Sequence, residues 1–233
     1  MKAFVVAVAA LGACWTTLGG MSDPAARIPL EQQVLSQLNW ARQHPRDYAA
    51  ALRDYRRNFD GDLLYLPGQG VAIATSEGTD AVDEAIAFLE RQDPLPPLTL
   101  DQVLTLAARD HADAQGPVGT VGHGSADGAS PGQRVKRRGG GIYVGEGISY
   151  GFDDAAQVVR QLIVDDGVPG RGHRRLVYDP NFRFAGIGCG AHRRYGHMCV
   201  IDFARTPRGD AGDPSPRRRM VNGKMQWVPT TAD

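Results

Sequence analysis

Two apolar runs near the C-terminal end, residues 184–191 and 197–204, are separated only by a short polar turn. Strands this close in sequence pair antiparallel, because a parallel pair needs a crossover of a dozen residues or more. Whatever sheet the chain builds therefore ends in an antiparallel hairpin. Helical patterns come before it. Val34, Leu38 and Ala41 recur on one face of 30–43, and His44-Pro45 interrupts them. Pro is favoured at the first position of a new helix, and Tyr48, Leu52, Tyr55 and Phe59 carry that helix to residue 59. Residues 60–76 read as turns with short extended pieces, and 79–91 as a helix with Val82, Ile86 and Leu89 inward.

Thr99 followed by Gln102 has the form of a capping box, starting a helix through Val103, Leu104, Ala107, Ala108 and His111 whose alanines allow close packing on a sheet. Residues 116–141 read as loop and IYVGEGISYG as a strand. A helix capped by Asp153 or Asp154 follows. Helices interleaved with a closing antiparallel pair predict an α+β domain with a mainly antiparallel central sheet.

The composition sets the class and excludes others. The chain has 233 residues, 42% of them hydrophobic, enough for one cored domain. Lys+Arg and Asp+Glu are equal at 26 each, and the central region carries no basic run longer than KRR at 136–138, so no nucleic-acid partner is expected. Met1-Lys2 and the apolar run after them have the form of an export signal over residues 1–20, too short for the ~20 residues of a membrane span. Leu11-Gly12-Ala13-Cys14 resembles a lipobox, making Cys14 a candidate lipidation site and membrane anchor. Ordinary signal cleavage is the alternative. Residues 21–30 read as a linker, and the Pro-, Gly- and charge-rich 206–233 as a disordered tail. Export permits a disulfide between Cys189 and Cys199. Free thiols and a zinc knuckle with His192 and His197 are the alternatives, although the spacing fits no standard zinc motif.

Four ionisable residues sit in glycine-rich segments: His123 in VGHGSADG, Glu146 in VGEGISYG, and Asp166 and His173 in DDGVPGRGHRR. Only a fold could bring them together. The motifs LNWARQHPRDYAAAL, LPPLTLDQVLTLAARDHA, GHGSADG, VGEGISYG, QLIVDDGVPGRGHRR and AGIGCG…CVIDFA resemble, in order, the CAP superfamily (cysteine-rich secretory proteins, antigen 5 and pathogenesis-related 1) in its short bacterial form, over roughly residues 31 to 205. The resemblance implies a three-layer α-β-α sandwich and a central cleft where His123 and His173 hold Zn²⁺ or another divalent cation, with Glu146 and Asp166 closing the shell or orienting the rings. The chain departs from the family pattern at Gly147, where Asn is usual, and at Asp166, often Glu. The shorter side chain sets its carboxylate about 1.5 Å back.

The expected function is that of a monomeric binding module, exported to the cell surface, periplasm or medium, for a lipid-like or small amphiphilic ligand. A metal-dependent, peptidase-like hydrolase with Glu146 as general base and a secreted interaction protein with a purely structural cleft are the alternatives. Ser125 has no evident base-and-orienter set, which argues against a serine hydrolase, and His111, on the alanine-rich face, reads as a core residue.

Overall fold

The computed structural model describes residues 29–68, 70–212, 217–221 and 224–228. The segment read as an export signal, Cys14 and most of the expected 21–30 linker lie outside them. Helix α1 (Leu30–Gln43) is followed by α2 (Pro45–Arg56), with Pro45 at its first position. The helix expected to reach residue 59 stops three residues earlier. Arg57 N–H and Asn58 N–H turn back to the carbonyls of Asp54 and Tyr55, and this tightened last turn releases Phe59 into a strand. That strand, β1 (Phe59–Asp60), pairs with β2 (Leu63–Leu64), and β2 with β3 (Ile73–Ala74), in a small antiparallel sheet. Helix α3 (Thr79–Arg91) follows at the expected boundaries.

Thr99 does not cap a helix. It lies in β4 (Thr99–Leu100), its N–H donating to Arg183 O. The cap of α4 (Gln102–Val118) is Asp101, whose Oδ1 accepts from Val103 N and Leu104 N at 2.9 and 3.0 Å. A genuine capping box stands in the segment read as loop: Ser130 and Gln133 exchange bonds at the start of α5 (Pro131–Arg137). There the polar pair precedes Pro at the first helical position, where the ring's fixed φ favours the helix. Strand β5 (Val144–Tyr150) leads to α6 (Ala155–Val164), capped by Asp154, then to α7 (Gly172–Val177) and the hairpin β6 (Phe184–His192) and β7 (Gly196–Ala204).

The main sheet runs β4-β6-β7-β5, with β4 parallel to β6 and the other pairs antiparallel. Alternation divides it into two faces. Ile187, Cys199, Ile201 and Phe203 pack beneath α1, α3 and α6, whereas Ile148, Met198 and Val200 pack beneath Ala108 and Ala112 of α4. The result is the three-layer α-β-α sandwich.

The α4 face is unusually close. A Cβ at Gly186 would lie 2.1 Å from Thr105 N and one at Gly188 2.3 Å from Arg109 N, so helix backbone rests on strand backbone. The small residues of both elements permit this approach. Cys189 and Cys199 oppose each other in the hairpin and are joined by a disulfide.

The segment expected to be a disordered tail starts as ordered structure. Gly141 N–H and Tyr143 N–H donate to the carbonyls of Arg208 and Gly209, because the chain leading into β5 needs acceptors that the sheet edge lacks. Further on, β8 (Arg217–Val221) and β9 (Lys224–Val228) form an antiparallel pair.

Candidate functional site: two imidazole–carboxylate pairs around an edge strand

Strand β5 is an edge of the main sheet, and a 520 Å³ cleft opens beside it. His123 and His173 both line this cleft. Leu64, Leu66 and Ile73 from around the small sheet form one apolar wall, and Ile148, Phe152 and Leu162 another.

His123 sits in the loop after α4, pinned on both sides. Gly122, at φ +103°, a value that favours glycine, donates to Tyr150 Oη and accepts from His111 Nε2 and Gln115 Nε2, each at 2.9 Å. The His123 carbonyl accepts from Arg134 Nη1 at 2.9 Å. The imidazole, 53% exposed, donates from Nδ1 to Glu146 Oε1 at 2.9 Å. Glu146 itself is 1% exposed, and its other oxygen is paired with Arg134 Nη2. Arg134 also donates from Nη1 to Ser125 Oγ and the Ala129 carbonyl, so one buried guanidinium closes the loop over the strand.

His173 reaches the cleft from the opposite face of β5. Its Cδ2 lies 3.5 Å from where a side chain at Gly147 would begin. Here the partner is Asp165 rather than Asp166. Asp165 Oδ1 accepts from His173 Nδ1 at 2.7 Å, and Oδ2 from His173 N and Arg174 N at 2.9 and 3.3 Å. Asp165 ends α6 in the left-handed region at φ +58°, where Asp is better tolerated than most non-glycine residues. That turn carries the next side chain away. Asp166 also lines the cleft, but its two oxygens accept from Ser76 N and Glu77 N, both at 2.8 Å, ahead of α3. The adjacent aspartates thus divide two tasks, and what favours Asp165 in the sequence is that Asp suits a helix-ending residue.

The short helix α7 is strapped from outside. Arg174 donates to the carbonyls of Ile163 and Val164 and to Glu84. Arg171 bridges Glu77 and Glu84. Its guanidinium, with the Gly167 N–H, holds the Glu77 carboxyl down at about 2, and Arg171 is raised in return by Glu77 and Glu84.

Besides Asp165, sequence reasoning missed a second acid. Asp202 of β7 lies directly opposite Glu146 in the sheet register, is 0% exposed, and neither of its oxygens has a hydrogen-bond donor. Burial first, and then the neighbouring Glu146 charge, hold its carboxyl well above the usual range, with Arg134 pulling the other way. The signal was a lone acid inside the otherwise apolar run CVIDFA.

Other histidines serve the frame. His111 is fully buried, and burial lowers its pKa. Its Nδ1 lies 3.4 Å from Ser125 Oγ, but its Nε2 is turned to the Gly122 carbonyl rather than to an orienting carboxylate. His192, also buried, donates from Nε2 to Thr120 O at 2.8 Å.

Among the described residues no three His, Cys, Asp or Glu side chains converge as a metal cage. Each cleft imidazole has Nδ1 bound to a carboxylate, which leaves Nε2 as its second ring nitrogen. This is the outer-shell arrangement that orients histidine ligands, and imidazole nitrogen is a donor that suits Zn²⁺.

An α-β-α sandwich with an imidazole from each face of an edge strand defines the structural class. The profile of the cysteine-rich secretory protein family matches residues 35–203, and the chain belongs to that CAP family. No curated protein matches it. Among solved structures, an extracellular protein containing an SCP domain from Bacillus anthracis is 22% identical, with a TM-score of 0.41, over 48% of this chain and 35% of that one. An outer surface protein of Borrelia burgdorferi is 20% identical, with a TM-score of 0.39, over 47% of this chain and 77% of that one. The chain thus covers about a third of the Bacillus protein's length.

Proposed function

We propose that the protein is an exported binding module of the cell envelope whose cleft takes a lipid-like or small amphiphilic molecule. The supporting observation is the pairing of two carboxylate-backed imidazoles with apolar walls in one 520 Å³ cleft. The polar end of the ligand sits at His123 and His173, and its apolar part against the Leu64–Leu66–Ile73 wall. His123 and His173 would hold a divalent cation such as Zn²⁺, with Glu146 and Asp165 orienting their rings from behind. Two protein ligands make such an ion exchangeable, unlike the closed four-ligand sites of structural zinc.

Export follows the signal-like residues 1–20, with lipidation at Cys14 as the means of membrane attachment. Among the described residues no helix is long and apolar enough to cross a membrane. The module acts as a monomer.

The purified exported chain tests this reading in two measurements. Zn²⁺ should raise its melting temperature by mass action, a ligand at 100 times its Kd adding ~2.7 kcal/mol. Solvent extraction followed by mass spectrometry should recover an apolar molecule. Both signals should disappear in His123→Ala/His173→Ala. A wild-type protein with neither signal would return the cleft to a purely architectural role.

Hydrolysis is the second reading, favoured by the resemblance of each pair to an oriented general base. Glu146 is a poor base for it, since both oxygens are engaged and the side chain is 1% exposed. In this cleft the base would be His123 Nε2, held by Glu146.

A further inference from the structure

Several arginines around α2 and α7 are matched to acids. Arg53, Arg56 and Arg57 take Glu90, Asp83 and Asp54, and Arg171 and Arg174 share Glu84. Arg160 of α6 is different. It is the one Arg or Lys among the described residues that line the cleft, and among the described residues no oxygen accepts from its guanidinium. Its contact is with a ring: Cζ lies over Tyr55, 4.5 Å from the centroid. The two aspartates of the cleft are committed elsewhere, Asp165 to His173 and Arg174, and Asp166 to the amides of Ser76 and Glu77. Tyr55 does not neutralise the charge either, since burial pushes its hydroxyl up to about 12 and keeps it an un-ionised phenol. Gln157, one turn earlier on the same helix, also lines the cleft, and its Oε1 has no donor.

We propose that Arg160 is a specificity-determining residue of the cleft, which takes a carboxylate or phosphate group of the ligand and so selects an anionic amphiphile. A guanidinium engaged by its face on an aromatic ring keeps the N–H groups of its edge, and that fork matches a carboxylate or phosphate with two parallel bonds. The walls around it are apolar, formed by Leu64, Leu66, Ile73 and Phe152, and in such sites a few placed polar groups decide which ligand enters. A neutral head would leave the guanidinium without an acceptor. Asp165, which holds His173, caps α6 about 7.5 Å further along the helix axis than Arg160. The anionic group is therefore a second polar contact, besides the group that meets the imidazoles.

This inference rests on the cleft being the ligand site proposed above, and three probes of equal chain length separate the two claims. Decanoate, decyl phosphate and 1-decanol are titrated calorimetrically into the purified exported chain after a chelator has removed its metal. The wild-type protein should bind at least one of the anions about tenfold tighter than the alcohol, as suits a hydrogen-bond partner that carries charge. Whichever anion binds tighter identifies the head as carboxylate or phosphate.

Arg160→Gln should bring both anions down to the level of the alcohol and leave alcohol binding unchanged. Arg160→Lys, which keeps the charge but not the fork, should retain part of the preference. Equal binding of all three probes by the wild type would overturn the proposal and leave the cleft standing as a ligand site. So would a full preference for the anions in Arg160→Gln, which would put their head elsewhere. Binding of none of the three would remove the cleft reading and this inference with it.

Discussion

The two imidazole–carboxylate pairs look alike at the ring and differ in everything behind it. The His123 pair is held by side chains: Glu146 is buried at the sheet, gripped by Arg134 and flanked by Asp202. The His173 pair is held by backbone, for Asp165 accepts from the N–H groups of His173 and Arg174 as well as from the ring. A carboxylate satisfied by amide groups needs no counter-charge. One buried at a sheet recruits a cation and, here, a second acid. The two corners of one cleft should therefore fail under different perturbations.

The largest effect is expected from Arg134→Met. It leaves Glu146 uncompensated, and breaking a buried pair by removing one partner costs ~3–5 kcal/mol. Chemical denaturation should register that loss, while the His173 ring signals stay in place. Asp202→Asn should act in the opposite direction and depend on pH. An acid whose pKa is raised by folding contributes its stability below the unfolded value of ~3.9 and loses it as pH rises toward the folded value. The asparagine variant should thus gain on the wild type by ~1.4 kcal/mol for each pH unit across that window, and melting curves from pH 4 upward would show the two lines diverging. Parallel lines would mean that Asp202 ionises as freely in the fold as outside it.

Asp165→Ala attacks the other corner. Loss of bonds to an ionised acceptor costs ~1.5–3 kcal/mol, and the His173 ring should lose its fixed tautomer while His123 keeps its own. Asp166→Ala sharpens the distinction between the neighbouring acids: it should cost only ~1 kcal/mol, as loss of a cap does, and leave the His173 ring unmoved. If His173 responded to Asp166 rather than to Asp165, the assignment of the pair would be reversed. The smallest effect is on the acid side. Glu77, held at about 2 by Arg171 and Gly167 N–H, supports the strap over α7 above the unfolded value of ~4.3. That support is lost as pH falls through about 2. Rising pH thus weighs on the His123 side and falling pH on the His173 side.

Local chemistry made much of this visible in the sequence. The helices at 30–43 and 79–91, the Pro45 start, the Asp154 cap and the closing hairpin all follow from periodicity, proline geometry and chain proximity. So did His123, Glu146 and His173 as residues of note, through their glycine-rich settings and a family pattern. What escaped depended on tertiary detail. A Thr-x-x-Gln spacing occurs at Thr99, but pairing with β6 takes that residue into a sheet. The choice between Asp165 and Asp166 turns on a single left-handed residue. Asp202 gains its meaning only from its cross-strand neighbour, which no local window contains.

The glycine-lined contact between α4 and β6 also divides the cleft in time. With helix backbone on strand backbone at Gly186 and Gly188, there is no side-chain layer whose rotamers could change to let the helix slide. His111 and Gln115 ride on that helix and hold Gly122, so the His123 corner has the stiffness of the sheet itself. The far wall rests on strands of two residues each, which have few backbone bonds to slow their fluctuation. Amide exchange should be slowest along α4 and fastest around Leu64 and Ile73: one bank of the cleft keeps its shape while the other sets the pace of entry.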